Sequence, residues 1–450
     1  MEKLFGTDGI RGVANKSPIT PEVMLVLGKV IASIFKEKGE KKRMKFLIGK
    51  DTRLSGYMIE NALTAGLLSA GADVLLLGVL PTAAIAFLTK SLRADAGLVI
   101  SASHNPAEDN GIKVFQADGQ KLSGSLEEQI EYKVFNRETE TESIRGKLIG
   151  KLERMQDAKG RYIEFAKSSI KSASLTGLKI VLDCANGAAY STAPQVFSEL
   201  GAEVVVLNKR PDGLNINLNC GALHPENMME TVKKVKADIG IALDGDADRV
   251  IVCDEKGNSI DGDQIIAICA VSMQKKGVLE KSGVAVTIMT NKGFDMAMEE
   301  NGIHVVKTNV GDRNVIEAMR ENGYVLGGEQ SGHIIFSNNT TTGDGIISAL
   351  QLLMIIKEEG KKLSELAKCM TPLPQVTTNI EVREKKEINS LQANEAITCA
   401  EKILGKKGRV LVRYSGTQDM CRVMVEGENK DDITKITNDI ANAIQTEIGA

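Results

Sequence analysis

Five short stretches concentrate side chains able to do chemistry. Ser103 and His104 stand together in SASHNP, a hydroxyl beside an imidazole. That pair suits covalent catalysis through an activated nucleophile, although Ser, Asn and Pro also favour turns for their own reasons. Asp244, Asp246 and Asp248 alternate in DGDADR, ahead of Arg249. Hard oxygen ligands at that density suit Mg²⁺ or Ca²⁺ rather than zinc. An EF-hand loop would explain Glu255 at its twelfth position, but Arg249 occupies the sixth, where Gly is needed, and IVCDEKG continues as a strand. Three carboxylates leave coordination positions open, as Mg²⁺ usually does when it works on phosphates. Arg413, Ser415, Gly416 and Thr417 in RYSGT, with Arg422 beyond, supply two guanidiniums, two hydroxyls and a pliant backbone at one bend. A phosphate dianion asks for that set; a solvated hairpin turn would also use it. Glu329, Ser331 and His333 in GGEQSGH offer an acceptor, a mixed donor and acceptor, and an imidazole, a combination that recognises hydroxyls. Singly, each could equally be a loop residue satisfied by its own backbone. FGTDGIRG places Arg11 among glycines, which suggests backbone close to an anion, though a mobile terminus would read the same way.

An internal repeat would position these groups. KFLIGKDTR, KIVLDCANGA and VAVTIMTNKG each begin a unit of β-branched strand, loop, helical segment, second strand and third strand. SASHNP, DGDADR and GGEQSGH each follow the third strand of their own unit. Continuous apolar runs imply strands covered on both faces, with helices flanking each sheet. Ligands of open α/β sheets sit beyond the carboxyl ends of strands, so the three loops could face one cleft. The turn residues around Ser103 would hold its hydroxyl exposed. After about Thr371 the pattern changes. VTTNIEVRE reads as a strand, Ser390–Leu404 as a helix and GRVLVRYSGTQDMCRVMVEG as a hairpin. Ile433, Ile436, Ile440, Ile444 and Ile448 mark one face of a closing helix. The expected architecture is therefore three similar three-layer α/β/α domains with mixed sheets, plus a smaller C-terminal α+β domain, around a central cleft. The expected boundaries are 1–155, 156–254, 255–370 and 371–450, with Asn136 to Lys159 as the first interdomain crossing.

Bulk properties narrow the partners. The chain has 450 residues, 42% hydrophobic and 26% charged, with a formal net charge of −3. That balance offers no attraction to nucleic acid or an anionic membrane. The start, MEKLFGTDGIRG, lacks the apolar core of a signal peptide, and the apolar run near Leu350 to Ile356 is too short to span a bilayer. Seven cysteines without CxxC spacing fit reduced thiols and a cytoplasmic location.

FGTDGIRG, SASHNP, DGDADR, GEQSGH and RYSGT, in that order over almost the whole chain, resemble the α-D-phosphohexomutase superfamily. Within it the sequence is most similar to the bacterial phosphoglucosamine mutases. GEQSGH is typical there, where phosphomannomutase/phosphoglucomutase members more often read GEMSGH, and NVGDR at 309–313 replaces the Gly-His pattern of those relatives. The resemblance implies a phosphorylated Ser103, with Mg²⁺ on Asp244, Asp246, Asp248 and a phosphoserine oxygen. It implies sugar contacts at Glu329 and Ser331, with His104 and His333 also at the substrate, and a phosphate site at Arg413, Ser415, Gly416, Thr417 and Arg422. Arg11, Lys113 and Arg249, by their places in motifs, would steady the moving phosphoryl group. The implied reaction converts glucosamine 6-phosphate to glucosamine 1-phosphate through a hexose 1,6-bisphosphate, towards UDP-N-acetylglucosamine and cell-wall precursors; the alternative is a phosphomannomutase/phosphoglucomutase. The implied partner is a small sugar phosphate, and a homodimer is compatible with the resemblance. One departure concerns the clamp, which in the family usually reads RPSGTEP. Tyr414 and Gln418-Asp419 stand where prolines are usual, and without them the loop should be looser before substrate arrives.

Overall fold

In the computed structural model of the chain, residues 4–6, 8–38, 43–138, 144–388, 393–415 and 419–450 are described. The chain divides into two compact units. One comprises Met1–Met289 with Ile303–Lys368, and the other Thr290–Gly302 with Cys369–Ala450.

The first unit holds three sheets built on one plan. Strands β1 (Ile10–Val13), β2 (Lys45–Lys50), β3 (Asp73–Val79), β4 (Ala96–Ile100), β5 (Asp109–Gln116) and β6 (Leu152–Arg154) form a sheet ordered β1-β5-β4-β2-β3-β6. Strands β7 (Lys179–Asp183), β8 (Glu203–Leu207), β9 (Ile239–Leu243), β10 (Val250–Cys253) and β11 (Ser259–Ile260) are ordered β11-β10-β9-β7-β8. Strands β12 (Gly283–Thr287), β13 (His304–Thr308), β14 (Leu326–Gly328) and β15 (Ile334–Phe336) are ordered β13-β12-β14-β15. In each, the first three strands of the repeat run parallel and a fourth returns antiparallel beside the third. The central strands β4, β9 and β12 are buried at every position, as strands covered on both faces must be.

Two segments do more than the sequence suggested. The N-terminal stretch with Arg11 is an edge strand, β1 pairing antiparallel with β5. The charged segment expected only to cross between domains contributes β6, which adds in parallel to β3. All three β6 residues are exposed, so no apolar pattern marked them.

In the second unit, β16 (Gln375–Glu381), β17 (Arg409–Tyr414) and β18 (Met420–Glu426) form an antiparallel sheet ordered β16-β18-β17. Its core takes Ile433, Ile440, Ile444 and Ile448 from the closing helix Lys430–Ile448, with Ile436 packed partly buried against it. Among the described residues, no helix is long and apolar enough to cross a membrane. Ile444 is fully buried in that small core. Ile444→Ala should therefore destabilise the second unit by about 2–5 kcal/mol through lost burial and a cavity, measured by denaturant unfolding.

Candidate active site

Each chemistry-bearing loop joins the third strand of its repeat to the antiparallel fourth: SASHNP joins β4 to β5, DGDADR β9 to β10, and GEQSGH β14 to β15. That hairpin lies at the carboxyl end of a buried parallel strand, where backbone groups leave the sheet.

Ser103 sits at φ +52°, a left-handed conformation uncommon outside glycine. It is held from behind. Its N–H donates to Ser101 Oγ (2.9 Å), whose hydroxyl donates to Asp51 Oδ2 (2.6 Å). The fully buried Arg53 pairs with Asp51 and donates to the Asn105 carbonyl (2.5 Å) and the Ser103 carbonyl (3.3 Å). Asp51 and Arg53 were missed in the sequence, although a charged pair directly after an apolar strand was the visible signal. The expectation of an exposed Ser103 is corrected, because the residue is 1% exposed. Its hydroxyl donates to Asp244 Oδ2 at 2.6 Å, which brings the two loops together across 141 residues. Gly245 makes this approach achievable. A Cβ there would run into the Ser103 carbonyl oxygen and lie 2.8 Å from Asn217 Nδ2.

Ligand oxygens of Asp244, Asp246 and Asp248 lie within 4.8 Å of one another, and all three side chains are buried. Lys113 Nζ donates to Asp246 Oδ2 (2.7 Å) and Asp248 Oδ2 (2.8 Å), and Thr82 Oγ1 to Asp246 Oδ2 (2.5 Å). Burial, then Asp248 and Asp246, push the Asp244 carboxyl up to about 8. Burial would raise Asp248 too, but Lys113, His333 and Arg249 hold it well below the usual carboxylate range. Burial alone would lower Lys113; Asp246 and Asp248 instead keep it above its ordinary value, a firm cation. Among the described residues, the Oδ1 atoms of Asp246 and Asp248 are buried without a hydrogen-bond partner. Buried oxygens that accept no hydrogen bond, in an all-carboxylate set, fit a hard divalent cation.

The other candidates gather here unevenly. Arg249 donates its N–H to Asp244 Oδ1 (3.1 Å), and its Nε lies 4.0 Å from Asp248 Oδ1. Arg11 donates to Asn105 Oδ1 (3.2 Å) and pairs with Asp8 (3.4 Å). His104 Nδ1 lies 3.4 Å from Ser103 Oγ. Burial, then Arg249 and Arg11, push that imidazole down to about 4, so it is neutral. Glu329 accepts from the Gly311 N–H (3.1 Å) and Ser331 Oγ (3.5 Å). His333 closes the same loop, its carbonyl accepting from the Glu329 N–H (3.0 Å). At 3% exposed, it bridges Asp248 Oδ1 (3.7 Å) and Asp312 Oδ2 (3.5 Å), and Asp312 pairs in turn with Lys121. His333 is the last residue of the connection, directly before β15. Gln330, which distinguishes GEQSGH from GEMSGH, donates to Asp261 Oδ2 (3.2 Å) at the start of the helix Gly262–Lys275. It anchors the loop.

In the second unit, Arg413 and Arg422 are directly opposed across β17 and β18. Burial and the neighbouring Arg422 lower the Arg413 pKa. Like charges placed opposite each other destabilise a sheet, and an anion between them would relieve the repulsion. Arg422 Nε is buried without a partner among the described residues. Tyr414 donates its hydroxyl to the Lys386 carbonyl (2.6 Å), and Asp419 pairs with Lys385 (3.3 Å), so both non-proline residues brace the hairpin ends. Gly416, Thr417 and Gln418 lie outside the described residues.

Adding a divalent cation should raise the melting temperature of the wild type, read by calorimetry. Asp246→Asn, which removes one charge from the set, should abolish most of that rise.

The chain matches four families in order, described as Phosphoglucomutase/phosphomannomutase alpha/beta/alpha domain I (residues 2–141), domain II (160–257), domain III (261–373) and the C-terminal domain (378–443). It is 54% identical over 451 residues to the phosphoglucosamine mutase of Pelobacter propionicus, covering 100% of this chain and 99% of that one. It is also 54% identical over 450 residues to that of Syntrophotalea carbinolica, covering 100% and 98%. Among solved structures, a phosphoglucomutase/phosphomannomutase family protein of Burkholderia thailandensis shares the fold at TM-score 0.83 and 24% identity, over 99% of this chain and 98% of that one. The N-acetylphosphoglucosamine mutase of Aspergillus fumigatus shares it at TM-score 0.67 and 19% identity, over 98% and 95%. With relatives of this identity along its full length and all four domains in order, the chain belongs to the phosphoglucosamine mutase family of the α-D-phosphohexomutases.

Proposed function

We propose that the protein interconverts glucosamine 6-phosphate and glucosamine 1-phosphate, with Ser103 carrying the phosphoryl group in transit. The observation that carries this reading is the Ser103 hydroxyl at 2.6 Å from Asp244, within a buried carboxylate set and beside a buried lysine. Phosphoserine gives its phosphoryl group to the free C1 hydroxyl of glucosamine 6-phosphate, forming the 1,6-bisphosphate. The 6-phosphoryl group then returns to Ser103 and leaves glucosamine 1-phosphate. The Aspergillus fumigatus enzyme was solved with GlcNAc-6P and magnesium, and its S69A variant with glucose 1,6-bisphosphate, which supports both the substrate class and the intermediate.

Asp244, Asp246 and Asp248 would hold Mg²⁺, which supplies charge neutralisation for phosphoryl transfer. Lys113, held as a cation, stabilises charge on the moving phosphoryl group, as do Arg11 and Arg249. The neutral His104 imidazole can accept the proton released by a hydroxyl near Ser103. Glu329 and Ser331 read sugar hydroxyls, while His333 fixes Asp248 from behind. Arg413, Ser415 and Arg422, with Gly416 and Thr417, grip the phosphate that is not being transferred. The product class points to supply of UDP-N-acetylglucosamine synthesis.

Incubation with a hexose 1,6-bisphosphate should add the mass of one phosphoryl group to the intact wild type and nothing to Ser103→Ala. That variant should lose more than about 10³-fold in mutase turnover, because transfer through the enzyme needs its oxygen. An unmodified wild type, or a Ser103→Ala variant within about tenfold of it, would sink the covalent reading. Arg422→Ala should raise KM about tenfold or more and also lower kcat, since remote binding energy orients the reacting end. Arg422→Lys should recover only part, for lack of the planar two-pronged contact. Steady-state kinetics reads both.

A further inference from the structure

The loop Asn208–Cys220 of the second repeat carries residues for which the reaction above has no use. Asn217 is one of them. Its backbone N–H donates to the Ala185 carbonyl (2.9 Å), so the residue is anchored in its own domain. Its carboxamide leaves that domain. Nδ2 donates one hydrogen to the Ser103 carbonyl (2.9 Å) and the other to the Asn105 carbonyl (3.1 Å). Arg53 approaches the same two oxygens from within the first domain. Each carbonyl has two lone pairs, so the grips are complementary rather than competing.

Their consequences differ. Arg53 shares a domain with Ser103 and shapes the loop. It cannot set the distance from that loop to Asp244, which belongs to the second repeat. Among the described residues, Asn217 is the side chain from outside the first domain that donates to the Ser103 loop backbone. The loop it stands on is docked across the same boundary, with the Leu54 N–H donating to the Gly213 carbonyl (2.9 Å). A Cβ at Gly245 would run into the Ser103 carbonyl oxygen and lie 2.8 Å from the same Nδ2 atom.

We propose that Asn217 is a positioning residue of the phosphoryl transfer, holding the Ser103 loop in register with the Asp244–Asp248 carboxylates across the domain boundary. This rests on the phosphoserine reading above. The register matters because misplacing reacting groups by about 1 Å can cost on the order of 10²-fold in rate. Sugar binding, which relies on other loops, is not its task.

Asn217 sits at φ +59°, a conformation that glycine adopts freely. Asn217→Gly therefore removes the carboxamide without straining the backbone. Its kcat should fall about 10- to 100-fold with KM for the sugar phosphate changed less than about twofold. The ³¹P resonance of the phosphorylated, metal-free protein should shift or broaden relative to wild type. The melting temperature separates this from simple unfolding. Where Asn217→Gly does not fold, Asn217→Asp carries the test, because it is nearly isosteric but turns an acceptor towards two carbonyls; its kcat should fall at least as far. A variant whose kcat stays within about twofold of wild type, with an unchanged ³¹P line, overturns the inference. An inactive wild type that takes no phosphoryl group from the bisphosphate would instead overturn the mutase reading itself.

Discussion

The buried meeting of the Ser103 loop with three aspartates from another domain is the contact on which the rest of the site depends. Carboxylate oxygens within 4.8 Å of one another repel by about 3–4 kcal/mol per charged pair at an effective dielectric near 20. Burial removes the water that would otherwise screen them. The protein offsets this in two ways: Lys113 lies between Asp246 and Asp248, and Asp244 is driven towards its protonated form. Asp246 and Asp248 are thus held as carboxylates among Lys113, Arg249 and His333. A hard divalent cation would offset the charge that remains. Charge demand and phosphoryl chemistry are one constraint here.

That constraint explains why the site is spread over three copies of one strand arrangement. A parallel strand buried on both faces releases its chain at the carboxyl end, and an antiparallel fourth strand must return from there. The connecting hairpin is short, so its side chains are held by the sheet. The repeats bring the Ser103 hydroxyl, the three aspartates and the Glu329–Ser331 loop from equivalent positions.

The third repeat is tied to the second through the same loops. The Val250 N–H donates to the Gly332 carbonyl (3.0 Å), joining the strand after DGDADR to GEQSGH. His333 links Asp248 to Asp312, and Arg313 reaches Glu127 of the first repeat (2.6 Å). Displacement of the GEQSGH loop would therefore be felt at Asp248.

Much of this was legible in the amino-acid sequence. Buried strands need unbroken apolar runs, so KFLIGK, KIVLD and GVAVT announced the repeat, and the isoleucine period announced the closing helix. Alternating aspartates announced a cation set, because few other uses put three carboxylates at that spacing. These signals are local: they rest on periodicity and on ligand chemistry within a few residues. What tertiary structure alone decided is every relation between distant segments. That Ser103 is buried against Asp244, that Arg53 and Asn217 grip its loop from opposite domains, and that His333 stands between Asp248 and Asp312 all depend on how the chain folds back on itself. A hydrogen bond spanning more than a hundred residues leaves no periodicity behind, and a single asparagine in a polar loop reads as a turn until its partner is known.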